Sequence, residues 1–283
     1  MLLGKIIDCK QISLKIKSEV IEEVQKVKQD NNITPTVVSI LVGNDYGSIY
    51  YHNMQDKTAR ELGINFIKAN FDKNVTEEEL LSCIRKYNDD KLIHGIMVLL
   101  PFPGNINKKK VLNAINPNKD IDCLTDICMG RLFKSDKIFY PCTANSVATI
   151  IDSLGIELEG KEAVIIGRSN IVGKPTAMMM LDRNTTVTLC HSRTRNLEGI
   201  ASRADILISA IGKPKYINSN FIKKGAVVID VGTSSLNGKI TGDVDFDDVI
   251  DKVSYISTVP GGVGTLTTAL LFKNLCEAVK KCI

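Results

Sequence analysis

The chain has 283 residues, 44% of them hydrophobic and 24% charged, which is enough for two domains of ordinary size with a substantial core. Its net charge of +4 arises from 36 basic and 32 acidic residues spread along the sequence, so nothing marks a stripe for nucleic acid. No apolar run reaches the ~18 residues of a membrane span, and no N-terminal stretch has the order of a secretory signal. Eight cysteines without a CxxC pair, beside three histidines, give no zinc spacing. Free thiols in a reducing cytoplasm, no metal and no membrane contact are therefore expected.

Taken in chain order, a helical pattern covers about 11 to 29, and Thr36-Val37-Val38-Ser39-Ile40-Leu41-Val42 reads as a buried strand ending at Gly43. A helix follows from about Ser48. Further strands are predicted at Asn65–Ala69 and Gly95–Leu100, the second closed by Pro101-Phe102-Pro103-Gly104, which continues neither strand nor helix. The short run Lys108-Lys109-Lys110 reads as a solvated helix start. A second series of strands runs through Ala163–Ile166, Thr186–Leu189, Ile206–Ala210 and Val227–Val231. Strands alternating with helical segments are the mark of βαβ units, so the fold class is α/β with a parallel sheet in each of two domains. There is no internal repeat and no low-complexity linker, and the boundary near Pro141 rests on the change of series.

Two glycine segments carry chemistry. In Ala163-Val164-Ile165-Ile166-Gly167-Arg168-Ser169-Asn170-Ile171-Val172-Gly173 an apolar strand stops at a glycine turn and restarts as a helix. Free N–H groups at such a helix start face an anionic pyrophosphate, although Arg168-Ser169 stands where GxGxxG has its second glycine. A plain βα turn remains the alternative. In Val259-Pro260-Gly261-Gly262-Val263-Gly264, three glycines and a proline before a helix let backbone press against a flat ligand, or form no more than an irregular loop.

The ordered blocks Val42-Gly43, Ser48, Tyr51, Leu100-Pro101-Phe102-Pro103, Lys119-Asp120-Ile121-Asp122, Pro141-Cys142-Thr143, the Gly167–Pro175 segment, Cys190-His191-Ser192-Arg193-Thr194, Asp230-Val231-Gly232 and the Val259–Gly264 segment together resemble the methylenetetrahydrofolate dehydrogenase/cyclohydrolase family over nearly the whole chain. The resemblance implies a catalytic folate domain at 1–140, completed by 258–283, packed across a cleft from a Rossmann-type NADP domain at 141–257. It also implies a cytoplasmic homodimer acting on tetrahydrofolate derivatives. Tyr51 would lie against the pterin and Asp122 would hydrogen-bond to it. Leu99, Leu100 and Pro101 would contact substrate, with Gly261, Gly262 and Gly264 as the opposing wall. Gly167, Arg168, Ser169, Val172, Gly173, His191, Ser192 and Thr233 would hold the cofactor. Arg168 and Ser192 would meet a 2′-phosphate, and Arg193 joins them on charge alone. No acidic residue follows the second strand at Cys190-His191-Ser192-Arg193, where an NAD enzyme often carries one for the ribose hydroxyls.

The sequence departs from the family at two linked positions. Four residues after Tyr51, where the family has a lysine that assists ring opening, stands Gln55; in Val98-Leu99-Leu100-Pro101, leucine replaces the family glutamine. An amide moves no proton near neutral pH and leucine holds no polar group. Lys57 lies about 200° from position 55 around a helix. Cys123, Ala144-Asn145-Ser146, Thr258, Thr265 and Leu266 depart as well. The expected reaction is NADP-dependent oxidation of methylenetetrahydrofolate, with the hydrolase half weak or lost. A fully bifunctional enzyme, a related dehydrogenase for another small substrate, and a non-catalytic binder of folate or nucleotide remain the alternatives.

Overall fold

The computed structural model describes residues 4–104, 106–236 and 238–283. In chain order the first elements are β1 Lys5–Ile6, α1 Cys9–Asn31, β2 Thr36–Val42, α2 Tyr46–Glu61, β3 Asn65–Phe71, α3 Glu77–Asp89 and β4 Gly95–Val98. Next come α4 Lys108–Asn113, α5 Asp126–Phe133, α6 Cys142–Ser153, β5 Glu162–Ile166, α7 Gly173–Leu181, β6 Thr186–Cys190, α8 Leu197–Ala201 and β7 Ile206–Ser209. The remainder is β8 Val227–Asp230, β9 Ser234–Leu236, β10 Lys239–Thr241, α9 Phe246–Val249, β11 Tyr255–Ile256 and α10 Gly264–Lys280. The chain divides into two compact units, one of residues 1–14 with 141–267, the other of 15–140 with 268–283.

The second unit is built on a parallel sheet in the order β3-β2-β4. All seven residues of β2 are buried, as a central strand covered on both faces requires. Val38, Ile40 and Val42 pack with Ile96, Val98 and the α3 residues Leu80, Leu81 and Ile84 on one face. Alternation therefore turns Val37, Ser39 and Leu41 to the other face. There His52 of α2 packs on Phe66 of β3, which is in register with Val37. The strand predicted over Gly95–Leu100 is shorter, since its ladder ends at Ile40↔Val98 and only the Leu99 N–H continues it, to the Ile40 carbonyl at 2.9 Å. Two positions on, Pro101 has no N–H to offer. α2 starts two residues before Ser48 because Asp45 caps it, accepting the Ser48 N–H at 2.8 Å. The lysine run opens α4 as expected, but Lys110 pairs with Glu77 and Lys109 with Asp126.

The first unit carries a six-stranded parallel sheet in the order β1-β11-β8-β7-β5-β6. After β5 the chain goes to one side for β6 and returns past β5 for β7, so the order reverses between β5 and β7. In an open α/β sheet that reversal point is where ligands bind, outside the carboxyl ends of the strands. β1, expected with the folate domain, is instead the edge strand of this sheet: Lys5 and Ile6 pair with Tyr255 and Ile256. Residues 258–267 are likewise in this unit, so the part of 258–283 that joins the other unit begins at 268.

Candidate nucleotide and folate sites

Gly167 ends β5 at the reversal point with φ +126°, and a Cβ there would come within 2.3 Å of the Ala210 carbonyl oxygen at the end of β7. A Cβ on Gly173 would lie 1.9 Å from the Gly167 carbonyl oxygen. Both glycines are thus required by backbone packed on backbone, which brings the start of α7 down on the strand end. One expectation is corrected: the amides at the helix start are not all open. Ser169 Oγ accepts from Val172 N at 3.1 Å and from Gly173 N at 3.4 Å, while the Ser169 carbonyl accepts from Lys174 N. Arg168, Ser169 and Asn170 themselves are exposed.

β6 lies beside β5 with Ile166 in register with Cys190, and the Gly167 N–H donates to the Cys190 carbonyl at 2.9 Å. The loops carrying Arg168 and His191-Ser192-Arg193 consequently leave the sheet side by side. The second loop is a tight turn: His191 N donates to Thr194 Oγ at 2.8 Å and Arg193 N donates to His191 Nδ1 at 3.1 Å. With Nδ1 accepting, the proton of the neutral ring is on Nε2. Ser192 and Arg193 are exposed, and so is Thr233, just before β9. The residues around this strand end therefore fit a phosphate-bearing nucleotide: glycines that admit close approach, and two exposed arginines with a serine beside them.

A pair of buried aspartates shapes the neighbouring strand ends: Asp230, which the sequence marks only as part of the Asp230-Val231-Gly232 block, and Asp243, which gives no sign there. Asp230 accepts from Gly232 N, Asp243 N and Val244 N at 2.9–3.0 Å, and Asp243 accepts from Ser209 Oγ, Ile211 N and Lys213 N at 2.8–2.9 Å. Burial pushes the Asp230 carboxyl up to about 6, against the pull of those backbone N–H donors and with Asp243 adding to the rise. The signal in the sequence was an acidic residue at the end of an apolar strand. In the Val259–Gly264 loop, Gly261 has φ +94° and a Cβ on Gly262 would meet the Thr258 carbonyl oxygen at 2.1 Å. Gly264, by contrast, has open space where a Cβ would be.

In the other unit, the buried residues of α2 fall at Ser48, His52, Gln55, Thr58 and Ala59, on the side toward the sheet. Tyr51 is half-buried and Lys57 exposed. Ser48 Oγ lies 2.8 Å from the Asp45 carboxylate and 3.2 Å from the Leu100 carbonyl, tying the start of α2 to the Leu100–Pro101 turn. Gln55 is 1% exposed and its Oε1 has no hydrogen-bond partner. Leu99 is buried, and alternation from Gly95 and Met97 puts it on the same sheet face as Ser39 and α2. The two departures from the family pattern therefore share one face.

Asp122 is half-buried on a loop fixed from three sides. Asp120 accepts from Leu124 N and Thr125 N, Lys119 Nζ donates to the carbonyls of Tyr87, Asn88 and Asp90, and Asn274 Nδ2 of α10 donates to the carbonyls of Ile121 and Tyr140. Cys123 takes φ +56°, a region that favours glycine. Asn274, far along the chain, gave no sign of this role. Among the described residues no His, Cys, Asp or Glu cluster is placed to hold a metal, and no helix is long and apolar enough to cross a membrane.

Residues 141–283 match the NAD(P)-binding domain of the tetrahydrofolate dehydrogenase/cyclohydrolase family, and residues 7–122 match its catalytic domain. A curated relative, the bifunctional protein FolD of Clostridium botulinum, is 53% identical over 279 residues, covering 99% of both chains. The bifunctional FolD methylenetetrahydrofolate dehydrogenase/cyclohydrolase of Campylobacter jejuni has a similar structure, with TM-score 0.97 and 40% identity over 99% of this chain and 100% of that one. The FolD of Trypanosoma brucei, solved with NADP cofactor and an inhibitor, gives TM-score 0.94 and 33% identity over 99% of each chain. With both domains matched along nearly its whole length, the chain belongs to the tetrahydrofolate dehydrogenase/cyclohydrolase family.

Proposed function

We propose that this enzyme oxidises methylenetetrahydrofolate to methenyltetrahydrofolate with NADP. The observation that carries the cofactor choice is the side-by-side exit of the Arg168 and Ser192-Arg193 loops from neighbouring strand ends with no carboxylate among them. Such a pocket favours a 2′-phosphate over bare ribose hydroxyls. The FolD relative solved with NADP supports the same choice. When bound, the nicotinamide ring supplies the hydride acceptor. The protein's part is position: Tyr51 offers a flat ring from α2, and Asp122, held on its fixed loop, faces the positive charge that grows on the folate as hydride leaves. Arg168, Ser192 and Arg193 bind the phosphate, while Gly167 and Gly173 let backbone approach the pyrophosphate. Assaying NADP and NAD side by side with methylenetetrahydrofolate tests this reading; a clear preference for NAD overturns the cofactor assignment.

The relatives' names carry two activities, which favours hydrolysis of the methenyl product to formyltetrahydrofolate on the same chain over the expected loss of that step. In that reaction water oxygen bonds to the methenyl carbon, one carbon–nitrogen bond breaks, the freed nitrogen takes a proton and a second proton is released. The loss stands as a second reading because Gln55 and Leu99, buried on one face, present no group that titrates. Following formyl folate from added methenyl folate decides between them: turnover well above the uncatalysed rate establishes the bifunctional enzyme. A homodimer in the cytoplasm belongs to the same reading, and sedimentation of the purified chain tests the dimer.

A further inference from the structure

On the α2 face of the smaller sheet, three buried side chains each keep a polar atom without a partner: Ser39 Oγ, His52 Nε2 and Gln55 Oε1. All three are at most 2% exposed. Their placement is shared. Ser39 points away from the Val38–Ile40 core toward α2, the His52 ring packs on Phe66 of that same face, and the Ser39 carbonyl bears on the ring. Gln55 follows His52 by three residues on the buried side of α2, within reach of a side chain one turn away. Buried polar atoms are nearly always satisfied, by protein or by ordered water, and a water there needs two to four polar neighbours.

We propose that Ser39, His52 and Gln55 share an internal water that holds the Gln55 amide in one orientation, making His52 a positioning residue for the substrate end of α2. The chemistry of the three atoms is complementary to water. A serine hydroxyl donates to it, and the Gln55 carbonyl oxygen accepts from it. A neutral imidazole has one accepting nitrogen, which takes the second water proton. His52 stays neutral because burial, with Lys68 beside it, disfavours the charged ring; Asp56 and the Ser39 carbonyl pull weakly the other way. Lys68 and Asp56 are themselves paired at 2.9 Å, so neither competes for the water. With its oxygen committed inward, Gln55 presents its N–H groups in the other direction. That places a fixed donor one turn from Tyr51, at the position where the family has its lysine.

This inference rests on the folate reading only for its kinetic consequence, and the test separates the two. A crystal structure of the full chain, at a resolution that shows ordered water, is expected to show a peak within hydrogen-bond distance of all three atoms. A dry site, or direct pairing among the three, overturns the proposal whatever the enzyme does. For kinetics, His52→Leu is expected to lower kcat for methylenetetrahydrofolate about tenfold, as one lost hydrogen bond can, with little change in KM for NADP. His52→Asn, which keeps a polar atom for the water, recovers most of the loss. Equal kcat in both variants and the unsubstituted chain overturns the positioning role. Absence of folate oxidation in the unsubstituted chain sinks the functional reading and leaves the water to the crystal. If His52→Leu does not fold, the crystal still decides the water, and Ser39→Ala, which removes its hydroxyl donor, takes over the kinetic test: a fall in kcat of the same order is expected, and an unchanged kcat overturns the positioning role.

Discussion

The Cα of Gly173 is so close to the Gly167 carbonyl that a methyl group added to it would lie 1.9 Å from that oxygen. Gly173→Ala must therefore push α7 away from the end of β5. Overpacking of this kind costs about 1–3 kcal/mol. KM for NADP is expected to rise at least tenfold, with a lowered Tm. Cofactor titration by fluorescence checks this; affinity unchanged from the unsubstituted chain counts against the site.

Arg168→Ala combined with Ser192→Ala removes charge and hydroxyl from adjacent strand ends. A hydrogen bond to a charged group is worth about 1.5–3 kcal/mol, which corresponds to roughly ten- to a hundredfold in affinity. NADP should weaken by that factor while NAD changes little. Steady-state kinetics with both cofactors separates loss of phosphate recognition from general damage, which would weaken both alike.

Gln55→Lys with Leu99→Gln restores the family pair on one sheet face. A positioned proton-transfer group typically contributes about 10²–10⁴ in rate. If the hydrolase step is weak in the unsubstituted chain, formyl folate production should rise toward that range while hydride transfer changes far less. A double variant no faster than a weak parent would show that other departures, such as Cys123, also limit the step.

His94 is buried, its Nδ1 accepts the Thr36 N–H at 3.2 Å, and burial, with Lys119 adding, lowers its pKa below the usual 6.5. His52 is lowered as well. Groups depressed in the folded state bind protons more readily unfolded, so their stabilisation is present above pH 6.5 and lost as pH falls through the folded values. Asp230, raised to about 6, works the other way by gaining stability as it protonates, so the readout is a difference: between pH 7.5 and 5.5 the urea midpoint of His94→Asn should fall less, or rise more, than that of the unsubstituted chain. An identical slope in the variant would assign the loss elsewhere.

Strands with a continuous apolar run were legible from sequence because burial on both faces leaves no polar alternation to misread: Thr36–Val42 is found at its predicted bounds. Gly167 and Gly173 were legible too, since only glycine tolerates such backbone contact. What stayed hidden depends on partners remote in the chain. Lys5–Ile6 is too short to show a period, and its sheet is decided by Tyr255–Ile256. The grip of Asn274 on the Asp122 loop and the paired carboxylates Asp230 and Asp243 arise only once the chain is folded. Ser169 looked like a loop residue open to phosphate, yet its hydroxyl is turned onto the helix start.

The edge strand of the larger sheet also sets a schedule for synthesis. Ile6 pairs with Ile256, 250 positions later, so the strand is made long before its neighbour exists. At roughly 5–20 residues per second, that is a wait of about 12–50 s. Meanwhile residues 15–140 can collect most of their own contacts, and the nascent chain carries an unpaired N-terminal segment through the making of both sheets. Removing β1 would then leave the edge of β11 open to pairing with other molecules.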